Sequence, residues 1–130
     1  MKIYSSESSE IEYEGNKSLL QQSWLKESIQ LNEEEVKSEI GKVLLFAQEF
    51  KIKRVIIDAR NYPFRENQSI QNWINFTYMP QIMDVGVEKY AFVVSENLED
   101  LFKTFGEQDS ESMQVEYFAE EDKARAWVEA

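Results

Sequence analysis

KRVIIDARNYPF, running from Lys53 to Phe64, decides how the chain is read. Val55, Ile56 and Ile57 form an unbroken apolar run with basic residues before it and an acid after it. Such a run fits a strand covered on both faces, the habit of parallel strands in α/β proteins. Asp58, Arg60, Asn61 and Arg65 then crowd polar groups onto the carboxyl end of that strand, where ligands of open α/β sheets sit. Pro63 marks the strand as finished.

Working upstream, Asn32 is a good N-cap, with Glu35 three residues on in capping-box position. Val36, Ile40, Val43, Leu44, Ala47 and Phe50 recur at one-face helical spacing, so a helix precedes the strand. Gly41 costs about 1 kcal/mol against Ala there and is read as a point of close approach to the sheet. Before the helix, Glu10 to Glu14 alternates acid and apolar residues as a half-exposed strand does. Gly15–Asn16 turns the chain, and Ser18 to Trp24 returns as the second strand of a hairpin. Ile3 and Tyr4 open a short strand or lead-in.

Downstream, Ile70, Trp73, Ile74, Thr77 and Tyr78 describe a second amphipathic helix, with Ser69 as its cap and a kink or break at Pro80. Tyr90 to Val94 is a second buried strand. Leu98, Leu101, Phe102 and Phe105 predict a short third helix ended by Gly106, and Glu107 to Ser112 a polar loop. Val115 to Phe118 is a last strand, and Ala124, Trp127 and Val128 belong to a terminal helix. The order ββαβαβαβα predicts an α/β fold, with four helices against a single mixed sheet of five or six strands. An antiparallel hairpin opens it and parallel βαβ units follow. Residues 53–58 and 90–94 should then be neighbouring parallel strands. No repeat or linker divides the chain, so residues 1–130 read as one domain.

Composition narrows the chemistry. With 42% hydrophobic and 13% aromatic residues the chain is globular. No apolar run approaches the ~20 residues of a membrane span, and MKIYSSESSE has no signal-peptide core, so a cytoplasmic protein is expected. The sequence has no cysteine and no histidine, which removes thiol and imidazole catalysis and the usual zinc ligands. A net charge of -11 argues against nucleic acid and anionic membranes as partners.

Three segments together, VIIDARNYPF, GVEKYAFVVSE and VEYFAEEDKARAWVEA, resemble the STAS-like (SpoIIAA-like) family, which includes small bacterial STAS/SEC14 domain proteins. The resemblance spans nearly the whole chain and is one of pattern. It implies a SpoIIAA-like fold and a non-enzymatic domain that works by protein contact or small-molecule binding. Antagonists of anti-sigma factors in this family carry an Asp-Ser-Ser-Gly-like turn with a phosphorylated serine. Neither Asp58–Ala59 nor Arg65–Glu66 offers a serine at that position, so no phosphoacceptor is carried over.

Asp58, Arg60, Asn61, Arg65 and Phe76 are therefore the candidate ligand- or partner-binding residues. The plainer reading of Asp58 is that it ties down its loop through backbone or arginine hydrogen bonds. Tyr62, Trp73, Phe76 and Tyr78 form an aromatic group that either lines a pocket or fills the core, and Phe76 sits off the apolar stripe. The acidic groups Glu33–Glu35, Glu96–Asp100 and Glu120–Asp122 stand at helix starts, where acids complement the helix dipole, so neither metal nor cofactor is expected. A binding or regulatory module with an unidentified protein partner leads. A carrier or sensor of a small apolar, lipid-like ligand is the alternative, and a hydrolase comes third. A weak homodimer is a further expectation, through a sheet edge near Trp24 or the second helix near Phe76, with Met79 and Met83 beside it. A ligand carrier requires an enclosed pocket of at least ~300 Å³, and a docking module an exposed apolar surface.

Overall fold

The computed structural model describes residues 1–95 and 113–130. The predicted third helix at Leu98–Gly106, the polar loop after it and the acidic group Glu96–Asp100 lie outside the described residues. Six strands form one sheet in the order β1-β2-β3-β4-β5-β6. They are β1 (Lys2–Ser5), β2 (Ser9–Glu14), β3 (Leu19–Trp24), β4 (Arg54–Asp58), β5 (Lys89–Val93) and β6 (Gln114–Phe118). β1, β2 and β3 run antiparallel, whereas β3 to β6 are parallel. β4 and β5 are parallel neighbours in the register Arg54↔Lys89 to Asp58↔Val93, as the two apolar runs predict.

The parallel strands advance in one direction across the sheet, so right-handed crossovers place the described connecting helices on one face. Helix α1 (Glu33–Phe50) lies there, beside a helical rod made of α2 (Gln68–Trp73), a π turn (Ile74–Tyr78) and α3 (Met79–Asp84). Their apolar residues join Leu20, Val55, Ile57, Tyr90, Val115 and Tyr117 in the larger core. Among the described elements, the helix that follows the last strand is the one left to cover the other face. Helix α4 (Glu121–Glu129) does so, packing Ala124 and Val128 on Leu19, Ile56, Ala91 and Val93. Cations from the sheet receive its carboxyl end. Arg54 Nε donates to the Val128 carbonyl at 2.7 Å and Lys89 Nζ to that of Trp127 at 2.9 Å, where positive charge complements the helix dipole.

Local chemistry explains the element ends. Asn32 accepts from Glu35 N at 2.8 Å and Glu35 Oε1 accepts from Asn32 N at 2.9 Å, completing the capping box. The second helix is capped by Asn67, whose side chain accepts from Ile70 N at 3.0 Å, and not by Ser69, which lies inside the first turn and donates to Glu33. Pro80 neither breaks nor ends the rod, because a widened turn precedes it in which Met79 N reaches back to the Ile74 carbonyl. Proline gives the carbonyl four residues back no N–H and presses its ring on it, and the wider turn relieves both. That extra residue also rotates the helix by one position. Tyr78 and Met79 therefore face the core while Thr77, placed inward by regular spacing, is exposed.

Gly41 is not a point of close approach: a methyl group there would meet nothing within 4 Å. Gly41→Ala should therefore stabilise the protein by about 1 kcal/mol through the lost backbone freedom of glycine, raising Tm by about 4 °C. A fall in Tm on a calorimetric scan would overturn this account of the helix.

Candidate functional site

The carboxyl ends of β3 to β6 carry the residues of interest, but the polar ones do not converge. Asp58 Oδ1 accepts from Arg60 N at 3.2 Å and Nε at 2.9 Å, and its Oδ2 from Arg60 Nη2 at 2.6 Å. Arg60 Nη2 is also 3.7 Å from Glu121 at the start of α4, so this pair belongs to the α4 face. The Asp58 carboxylate holds the Arg60 guanidinium above its usual range. Asn61 Nδ2 donates to the Trp24 carbonyl at 3.3 Å, fastening the loop to the end of β3. Arg65 stands 3.6 Å from Glu66, and Phe76 projects from the outer side of the π turn, 76% exposed. Because β3 to β6 never reverse their order, the parallel half has no switch point at which a crevice would open over these residues.

The Asp58 turn instead delivers Tyr62. Tyr62 N donates to the Ala59 carbonyl at 3.1 Å and Ala59 N to the Val93 carbonyl at 2.8 Å, so the chain folds back over the helical face of the sheet. There Tyr62 packs edge-on against Trp24, with ring centres 5.1 Å apart. Tyr78 reaches down from the π turn and its hydroxyl lies 2.9 Å from that of Tyr90 on β5. Phe92 stacks on Tyr117 of β6 at 5.2 Å. Between these rings lies a cavity of about 50 Å³, with Gln22 and Asn75 at its wall and no charged residue among its described lining. Burial pushes the hydroxyls of Tyr62, Tyr78 and Tyr90 above their usual range. Of the aromatic group read from the sequence, Tyr62 and Tyr78 line this cavity, Trp73 stacks on Tyr78, and Phe76 turns away.

A second polar centre has no counterpart in the sequence reading. Glu39 of α1 is 8% exposed and accepts from the Tyr4 hydroxyl, from Ser6 Oγ at 2.6 Å and from Ser9 Oγ at 2.9 Å. Gln22 Nε2 donates to the Glu39 carbonyl at 3.0 Å. Burial first, then Glu39, raises the Tyr4 pKa. The signal was present in the serine run SSESS and in a glutamine at an inward position of β3.

Trp24 is not at a sheet edge: β3 is flanked by β2 and β4, and Trp24 is buried under Tyr62. Met79 is buried and Met83 half-buried, since the π turn swings both toward the core. Phe76 alone of that proposed surface group is exposed. It stands in a second legible signal: from Asn67 to Met83 no residue is charged, in a chain where 30% are. Among the described residues no acidic group gathers to hold a metal, and no helix is long and apolar enough to cross a membrane. Comparison of the chain with family models, with curated proteins and with solved structures returns no match in any of the three.

Proposed function

We propose that this chain is a STAS-like docking module of the cytoplasm, one that catalyses no reaction and binds another protein on the outer face of its α2–α3 rod. The observation that carries this reading is the exposed Phe76 set in a helical run without charge. Interface centres lose charged residues and gain aromatics, whereas ordinary surface does the reverse. The lipid-carrier alternative needs a pocket of roughly 300 Å³ or more, and the aromatic cavity has about 50 Å³.

The partner proposed is a second copy of the chain, and net charge opposes it. Two chains of net charge -11 repel across most of their surfaces, and this neutral face is where they meet with least like-charge contact, in an isologous, two-fold arrangement. Sedimentation should show a weak dimer that tightens as salt screens the repulsion over ~8–10 Å. Phe76→Asp should weaken it at least tenfold, about 1.4 kcal/mol, while altering stability by less than ~0.5 kcal/mol. A monomer at low and at moderate ionic strength would exclude the dimer. Turnover of esters or phosphates that is lost in Asp58→Asn with the fold intact would overturn the non-catalytic reading.

A further inference from the structure

Glu39 is a buried carboxylate whose hydrogen bonds come only from neutral groups. It is 8% exposed and accepts from the hydroxyls of Tyr4, Ser6 and Ser9. None of the ion pairs among the described residues includes it. Lys42, nearly one turn further along α1, lies over the Tyr4 ring instead. Buried charges are ordinarily paired, and this one has no counter-charge among the described residues. Beside it opens a hollow of about 370 Å³, formed by the β1–β2 link and the first turns of α1. Ser8 lines that hollow and is 6% exposed, and its hydroxyl has no hydrogen-bond partner among the described residues. Nor is this hydroxyl sealed from solvent, as those of Ser28 and Tyr62 are, so its open side faces the hollow.

We propose that this hollow binds a small primary amine in its ammonium form. The positive charge answers Glu39, and the N–H groups donate to Ser8 Oγ and to the carboxylates of Glu7 and Glu35. An ammonium has three donors and no acceptor, which suits a wall whose open groups are acceptors. Glu35 spends one oxygen on the Asn32 N–H and keeps the other, and Glu7 is exposed. Leu31 supplies apolar contact for a short alkyl chain. The amino end of α1 opposes a cation by about half a charge, less than the three carboxylates supply. An organic cation fits better than a metal ion, since among the described residues the acids do not gather closely enough to hold one. None of these residues belongs to the α2–α3 rod, so the inference does not depend on the docking face.

Three probes separate the alternatives: butylammonium, tetramethylammonium and 1-butanol. Each is titrated by NMR at constant ionic strength into the parent chain, Ser8→Ala and Glu7→Gln. Neither side chain has a hydrogen bond or ion pair among the described residues, so both variants should keep the fold. Butylammonium should bind with saturable shifts at Ser8, Ser38 and Glu39 and a Kd of about 1–10 mM. Ser8→Ala should weaken it about fivefold, the worth of one ordinary hydrogen bond, and Glu7→Gln about twofold, that of an exposed charge. Tetramethylammonium has the same charge without an N–H donor and should bind at least about tenfold more weakly. Equal affinity for the two cations, or unchanged affinity in Ser8→Ala, would reduce binding to diffuse attraction by a chain of net charge -11 and overturn the site. Binding of 1-butanol as tight as that of butylammonium would overturn the role of charge. Absence of saturable shifts with butylammonium would overturn the proposal outright.

Discussion

Replacing Glu39 with alanine should lower the unfolding free energy by about 3 kcal/mol, a large share of the ~5–15 kcal/mol that holds a domain of this size together. The carboxylate is the common acceptor for Tyr4, Ser6 and Ser9, so its loss leaves three hydroxyls at a part-buried corner without their partner. Each unsatisfied group costs about 1–3 kcal/mol when water is excluded. A solvent-open hollow of about 370 Å³ beside Ser6, Ser8 and Glu39 lets water reach them, which sets the expected loss at the lower end of the total. Glu39→Gln keeps the shape and one carbonyl acceptor and should lose less than half as much. Urea unfolding of the two variants measures both quantities. A loss below 1 kcal/mol for alanine would mean that this network is no more than a hydrated surface.

The second large effect appears at alkaline pH. Burial raises the pKa of Tyr62, Tyr78 and Tyr90 in the folded chain, with the neighbouring Tyr90 adding to the shift at Tyr78. In the unfolded chain each loses its proton near pH 10. Above that pH the unfolded state binds fewer protons than the folded one, so stability falls as pH rises. The contribution is present in full below the unfolded pKa and is lost on passing above it. Each retained proton adds about 1.4 kcal/mol per pH unit to the slope, and the three together about 4. Tyrosinate absorbance followed across the alkaline range should show these three rings ionising only as the chain unfolds. Tyr78→Phe should reduce the slope by about a third. Titration of all 6 tyrosines near pH 10 in a chain that remains folded would overturn the buried cluster.

Legibility in the sequence differs sharply between elements. The capping box at Asn32 and Glu35 and the apolar runs at Val55–Ile57 and Tyr90–Val94 are local signals, and local chemistry carries them unchanged into the fold. The second helix was legible as a helix but not in its phase. Pro80 acts on the carbonyls before it, and the turn widens at Ile74–Tyr78, which exchanges Thr77 for Met79 at the core. Spacing rules assume 3.6 residues per turn and so misplace every residue after such a turn. The placing of the residues after β4 was hidden for a different reason. Asp58 and Tyr62 are close in sequence yet belong to opposite faces of the sheet, because alternate residues of a strand point to opposite sides and the loop then folds back over one of them.

Composition, charge and periodicity alone determined that this is an α/β chain with a mixed sheet, that histidine and cysteine chemistry is closed to it, and where most elements begin and end. Each of those properties depends on residues near one another in the chain. Only the tertiary structure decided that Glu39 gathers hydroxyls from β1, β2 and the link between them, that tyrosines from four elements surround one cavity, and that Phe76 stands outside while Met79 does not. These depend on contacts between residues far apart in sequence and on the hand of the crossovers, which places the two described connecting segments on one face, with α4 on the other.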